Sequence, residues 1–313
     1  MKARSGVYAE SRARIRLFAH PGRSGNFWRR YAQAYLFMSP AVVLVAAISL
    51  YPIAYAAYLS LFRTRYLERL AFVGLGNYQR LYLDSAFWQN LSHSLLYVFG
   101  SLLLVLPFGL IVAILLNQPV GGRGLLRALI ILPWVISQTI IALLWSWLLN
   151  PDFGPAIYLL QQFGSAKLTL LSDVRTALPT LIGVNVWGSY PMATVLLLAA
   201  LQTIPQELKD AARVDGTSRW QHFVHITFPF VQPTLLVATI LLTLLYFNMV
   251  TLVLILTGGG PVGATEVLSL RAFKEGFDFW RIGFAASLGM VIFLFNILFS
   301  LLYIRLLRQE SLQ

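Results

Sequence analysis

Six stretches of 23 to 28 residues contain no Asp, Glu, Lys or Arg, and they constrain the chain more than any motif in it. They run 35–62, 94–117, 128–150, 178–201, 233–257 and 282–304. A helix crosses roughly 30 Å of hydrocarbon with about 20 residues at 1.5 Å each, so every stretch is long enough to span a bilayer. The 24 basic and 12 acidic residues all fall in the connections. None has to be buried at mid-bilayer depth, where the cost is roughly 2.5–3.5 kcal/mol. At 58% hydrophobic and 12% charged, the composition is that of a membrane protein. The expected fold is all-α and polytopic, with a basic arm at 1–34, six transmembrane helices in a domain at 35–304, and a tail at 305–313.

Charge sets the orientation. Taken alternately, the connections hold 15 basic residues on one side and 9 on the other. The richer side includes both termini and the 202–232 loop. Lys and Arg accumulate on the cytoplasmic side, so both termini are expected inside. The net charge of +12 then reflects topology and anionic lipid, and a nucleic-acid partner is not expected. The arm carries Lys2, Arg4, Arg12, Arg14, Arg16, Arg23, Arg29 and Arg30 and reads as a solvated segment at the inner leaflet. The first apolar stretch is too long for a signal-peptide core of about 7–15 residues and reads as a retained anchor.

Several chemistries lack their residues. There is no cysteine, hence no disulfide, thiolate metal site or cysteine nucleophile. No Asp, Glu or His lies inside an apolar stretch, where a proton-coupled carrier would keep one. No phosphate-binding Gly-x4-Gly-Lys-Ser/Thr loop, Gly-x-Ser-x-Gly elbow or His-Glu-x-x-His helix occurs. Catalytic residues, metal ligands and cofactors are therefore not expected in this chain. It reads as a transport or channel body driven from elsewhere. A stand-alone channel or secondary carrier, and a polytopic membrane enzyme, are the alternatives.

The loop at 202–232 has two helix signatures. Thr203 and Gln206 are candidates for a capping box, with Pro205 in the first turn and Glu207 and Asp210 near the positive helix end. Gly216 suits a left-handed C-terminal cap. Leu208, Ala211, Ala212 and Asp215 fall on one small, flat face. Thr217 or Ser218 can cap a second helix with an apolar stripe of Trp220, Phe223, Val224 and Phe228, expected to end at Pro229.

Asp210-Ala211-Ala212, three residues, Gly216, nine residues, Ile226, one residue, Phe228-Pro229 resembles the EAA loop of ABC-importer permeases, with Asp for the usual Glu and Phe for the usual Leu. Phe72-Val73-Gly74-Leu75-Gly76-Asn77-Tyr78 and Phe87-Trp88 resemble the first external loop of sugar permeases of the maltose, lactose and glycerol-3-phosphate type. Leu256-Thr257-Gly258-Gly259-Gly260-Pro261, Thr265 and Gly283-Phe284-Ala285-Ala286 resemble their connection between spans five and six. That form is typical of the first of two permeases, although Val250-Thr251 stands where Phe-Asp is often found.

The resemblance implies a type I importer permease (MetI-like) in a bacterial inner membrane, importing a carbohydrate or polyol. It implies a second permease, two ATP-binding subunits holding ATP and Mg, and an extracytoplasmic solute-binding protein. Leu208, Asp210, Ala211, Ala212, Asp215, Gly216, Phe223 and Pro229 would then form the ATPase-coupling element. For the substrate path, polar and aromatic residues at mid-stretch depth are the candidates: Asn185, Trp187 and Tyr190 in the fourth stretch, Tyr246 and Asn248 in the fifth. Gln138 and Asn296 share that depth. Rings for stacking and amides for hydroxyls suit a sugar; helix packing is the competing use of such residues.

Overall fold

The computed structural model describes residues 27–66, 68–119, 121–162 and 169–310. Most of the basic arm, and the end of the tail, lie outside the described residues. The chain divides into two units, Met1–Tyr55 and Ala56–Gln313.

Helix α1, Phe27–Leu59, carries the first apolar stretch. In the Met1–Tyr55 unit, Leu36, Phe37 and Val43 are exposed side chains and the Tyr51 and Tyr55 rings stack 6.0 Å apart. The helix stops at Leu59, short of the expected Phe62, because the chain is turned there by side-chain bonds. Ser60 Oγ donates to the Ala57 carbonyl at 2.7 Å. Asn77 Nδ2 donates to the carbonyls of Ser60 and Phe62 at 2.7 and 3.0 Å. Strands β1, Phe62–Arg65, and β2, Glu68–Phe72, follow as an antiparallel hairpin with a register shift between Arg63 and Thr64. This pair departs from a purely helical expectation, although the protein is otherwise helical.

Short α2, Gly76–Leu83, leads into α3, Ser85–Asn117. α3 begins nine residues before the apolar stretch because Asp84 caps it, accepting from the Ala86 amide at 3.0 Å. The third stretch is not one straight helix. It divides into α4, Arg123–Val135, and α5, Gln138–Leu148, bent by 94°. Pro133 removes one ladder donor near the end of α4, and Ser137 starts α5 by accepting from the Ile140 amide at 3.4 Å. α6, Pro155–Gln162, precedes α7, Ala177–Gln202.

The fifth stretch is broken as well. A helix runs from α9, Arg219–His222, through a wide π turn, Phe223–Thr227, into α10, Phe228–Phe247. It ends at Asn248, whose Nδ2 donates to the Leu244 carbonyl at 2.7 Å, and α11, Thr251–Leu256, is a separate piece. Between α7 and α9 lies α8, Gln206–Val214; α12, Leu268–Phe273, with a π turn at Lys274–Asp278, precedes α13, Ile282–Glu310. Among the described residues five helices are long and apolar enough to cross a membrane, six if the bent α4–α5 pair counts as one span.

The core of the larger unit is the crossing of α3 on α7. Val98, Val105, Leu181, Ala193 and Leu197 are fully enclosed there. Gly109 lets the backbones approach: a Cβ on it would lie 2.8 Å from Ala193 Cβ and 3.2 Å from the Thr194 nitrogen. Lipid offers apolar side chains as good a solvent as each other, so such close packing and interhelical hydrogen bonds hold the bundle. α10 joins through Ser189 Oγ and Tyr246 OH at 2.6 Å, and α13 joins α10 through Thr243 Oγ1 and Tyr303 OH at 3.2 Å.

Candidate functional site

The loop after α7 carries most of the residues singled out by sequence. Thr203 closes α7, its Oγ1 donating to the Ala200 carbonyl at 2.8 Å, so it does not cap the next helix. The expected Thr203–Gln206 box is replaced by a start behind Pro205, and Gln206 Nε2 donates instead to Asp210 Oδ1 at 3.1 Å. The far end matches the sequence. Gly216 has φ +67°, its amide bonds the Arg213 carbonyl at 3.2 Å, and the Thr217 amide bonds the Ala212 carbonyl at 3.1 Å. These are the paired bonds of a Schellman cap. Ser218 and Gln221 then form a reciprocal capping box at 3.2 and 2.8 Å.

The four residues expected on one face of α8 divide. Ala212 is 5% exposed, whereas Leu208, Ala211 and Asp215 are exposed, as are the neighbouring Asp210 and Val214, the latter at 87%. The outward surface is thus Leu208, Ala211 and Val214, with Ala212 anchoring the helix to its own chain. Pro229 does not end the second helix. The π turn has already widened the ladder, so a proline in the first turn of α10 withholds an amide where the regular pattern is interrupted. The Trp220 and Phe223 rings stack 5.7 Å apart, and Phe223 meets Phe228 at 6.2 Å. A groove of about 780 Å³ lies between this hairpin of helices and the ends of α3 and α7.

The five mid-depth residues have three kinds of surroundings. Asn185 is buried and donates to Ser101 Oγ at 3.0 Å; Tyr246 is buried on Ser189. Trp187 and Tyr190 are half-buried, with edge-on rings at 5.6 Å to Trp145 and 4.9 Å to Phe108. Asn248 is exposed, and its Oδ1 accepts from Asn296 Nδ2 at 3.4 Å. Because α10 ends at Phe247, Tyr246 and Asn248 sit at a helix end within the fifth apolar stretch. A cavity of about 140 Å³ opens where the α4–α5 break meets α7, with Gln138, Asn185, Gly188 and Ser189 on its wall.

At the opposite end of α3 from the loop, a clasp ties distant segments together. Arg271 pairs with Asp84. Burial works against the Asp84 carboxylate, but hydrogen bonds from Arg271 and the Ala86 amide, with the charges of Arg271 and Arg80, outweigh it and hold its pKa below the usual carboxylate range. The Gly283 amide donates to Thr64 Oγ1 at 2.7 Å, and a Cβ on Gly283 would sit 2.2 Å from the Phe62 carbonyl oxygen. Thr265 Oγ1 lies 2.7 Å from both Thr257 Oγ1 and the Gly260 carbonyl.

The family model described as "Binding-protein-dependent transport system inner membrane component" matches residues 105–309. The chain belongs to this family. It is 32% identical over 279 residues to the trehalose/maltose transport system permease protein MalF of Thermococcus litoralis, covering 89% of this chain and 94% of that protein. It is 35% identical over 276 residues to the probable ABC transporter permease protein YurN of Bacillus subtilis, covering 87% and 94%. In fold it is similar to a chain of the bacterial alginate ABC transporter in complex with alginate pentasaccharide-bound periplasmic protein, with a TM-score of 0.77 at 21% identity, covering 89% of this chain and 96% of that one.

The matched range of this inner membrane component takes in the α8 loop and the mid-depth residues. The hairpin and Asp84 precede it. Sequence reading of this binding-protein-dependent permease missed Ser101 and Ser189, which a search for hydroxyls at the depth of Asn185 would have found. It missed the Asp84–Arg271 pair, 187 residues apart, for which no local signal exists.

Proposed function

We propose that this chain is the non-catalytic, membrane-spanning half of an importer for a carbohydrate or polyol, driven by ATP hydrolysis in a separate subunit. The observation that carries the reading is α8: a helix held by a Schellman cap and by Ala212, presenting Leu208, Ala211 and Val214 outward. Exposed apolar side chains on a rigidly capped loop helix suit insertion into a partner's cleft. The names of the relatives favour a sugar. Both termini and α8 belong on the cytoplasmic side, where ATP and Mg would bind the partner ATPases. A second permease and an extracytoplasmic binding protein complete the assembly.

Co-expression with a cognate ATPase tests this reading: the ATPase should co-isolate with the permease, and reporters after Gln162 and Gly263 should read external while one after Gln221 reads internal. An external Gln221 reporter would put α8 on the wrong side of the membrane for ATP and defeat the proposal.

The path is proposed along Gln138, Trp187 and Tyr190, whose rings and amide are only partly enclosed by this chain. Asn185 and Tyr246 are assigned to holding α3, α7 and α10 together. Gln138→Ala and Trp187→Ala should lower uptake with complex yield unchanged, whereas Asn185→Ala should lower yield, since an interhelical hydrogen bond in membrane is worth about 0.6 kcal/mol. Uptake and yield measured on the same preparations decide it; unchanged uptake in Gln138→Ala and Trp187→Ala would remove this path.

A further inference from the structure

The groove of about 780 Å³ beside α8 is not used by the docking face. Lys209, Arg213 and Arg219 line it, over a floor of Ile114, Leu201 and Phe223. Among the described residues no carboxylate lines it, and the only acid paired with these cations is Asp210, 3.5 Å from Arg213 and largely exposed. Two further arginines stand on α4. The Nε atoms of Arg123 and Arg127 are buried without a hydrogen-bond partner, and Arg123 Nη2 reaches the carbonyl of Asn117, on the groove wall, at 3.4 Å. The groove therefore offers the three cations Lys209, Arg213 and Arg219 above an apolar floor, with the two α4 arginines beside it and outside its lining. Its depth is set by Asn117 and Leu201, where two charge-free stretches end, which is the level of lipid headgroups.

We propose that this groove binds the phosphate headgroup of an anionic phospholipid, its chains lying against the apolar floor. Basic pockets between helices at a cytoplasmic surface have the chemistry for such headgroups. A phosphate from solution would satisfy the same cations but would leave the floor uncovered. The groove face of α8, Gln206, Lys209 and Arg213, differs from the face of Leu208, Ala211 and Val214, so lipid and ATPase can be held together. The bound lipid braces the loop from the membrane side while the partner takes the other. The inference rests on the proposed orientation, with α8 at the cytoplasmic leaflet.

The test uses the assembled transporter in nanodiscs of phosphatidylcholine, alone or mixed with phosphatidylglycerol. Native mass spectrometry reads the lipid retained on the permease, and stimulated ATP hydrolysis reads its effect. The wild type should retain phosphatidylglycerol in preference and hydrolyse ATP several-fold faster with it. The triple variant Lys209→Gln, Arg213→Gln, Arg219→Gln should lose both responses while still co-isolating with the ATPase. Each cation near an anionic surface contributes about a fivefold factor, so retention should weaken on the order of a hundredfold. Lys209→Arg with Arg219→Lys keeps the charge and should behave as wild type. Equal lipid retention by wild type and triple variant would overturn the proposal. So would restoration of the rate in phosphatidylcholine by inorganic phosphate or glycerol phosphate, or loss of the ATPase from the triple variant, which would make the groove a protein contact. Lipid is read on the permease itself, so a wild-type chain that binds no ATPase defeats the transport reading alone, and the retained lipid still decides the groove.

Discussion

Gly216→Val is expected to cut stimulated ATP hydrolysis by the assembled transporter about five- to thirtyfold while leaving membrane insertion intact. Gly216 has φ +67°, and a Cβ built on it meets no atom within 4 Å. Crowding is therefore not the cause; the penalty is conformational. A residue with a Cβ held in the left-handed region costs about 1–2 kcal/mol, and a β-branched one is a genuine outlier there. A penalty of that size moves an equilibrium by a factor of about 5–30. What it opposes is the cap formed by the Gly216 and Thr217 amides on the carbonyls of Arg213 and Ala212. Without it, α8 frays where its outward side chains must be held still. Asparagine tolerates the left-handed region and fills a similar volume, so Gly216→Asn should keep most of the stimulation. Stimulated ATPase rates for the two variants, at matched complex yield, provide the check. Equal losses in both would mean that the position is sensitive to bulk, and the conformational account would fail.

The second large effect is expected at the crossing of α3 and α7. Gly109→Leu should abolish recovery of a monodisperse complex in detergent, because even the first added carbon lies 2.8 Å from Ala193 Cβ and 3.2 Å from the backbone nitrogen of Thr194. The helices must separate, and overpacking of this kind costs about 1–3 kcal/mol in well-packed interiors. Here the displaced contacts are with the Ala193 methyl and the α7 backbone, the close approach through small residues by which membrane helices pack. Gly183 on α7 is the control: a Cβ there meets nothing within 4 Å. Gly183→Ala should match wild type or exceed it, since alanine is the better helix former by up to about 1 kcal/mol. Thermal stability by size-exclusion after heating separates the cases. A Gly109→Leu transporter as stable as wild type would mean that the crossing is not tight at this point.

The spans were legible because the absence of charge over 23 or more residues has few explanations other than lipid. Their continuity was not. A charge-free stretch reports depth and says nothing of whether the helix runs through it, so the breaks at 136–137 and at Asn248 were hidden, although Pro133 marked the first. The cap at Gly216 was legible because it involves only neighbours in sequence. Thr203 misled because a threonine between two helices can finish one as readily as begin the other, and only the direction of its hydroxyl decides. For the mid-membrane residues, depth could be read and rotation about the helix axis could not. Asn185 and Tyr246 turn inward to serines, while Trp187 and Tyr190, on the same stretch as Asn185, stay half-open.

The unbroken run from Arg219 through the π turn to Phe247 has a mechanical meaning. Its 29 residues make a rod about 40 Å long at 1.5 Å per residue, begun by a capping box beside Gly216 and ending one residue past Tyr246. Such a rod is a lever arm. A tilt imposed at Ser218 is carried along it toward Tyr246, where the hydroxyl contact with Ser189 ties α10 to the wall of the cavity at the α4–α5 break. Work done on the loop thus has a stiff route to the centre of the bundle. The widened turn at Phe223–Thr227 is the place along that arm where a change of helical register would meet least resistance, as an elbow between the pushed end and the moving one.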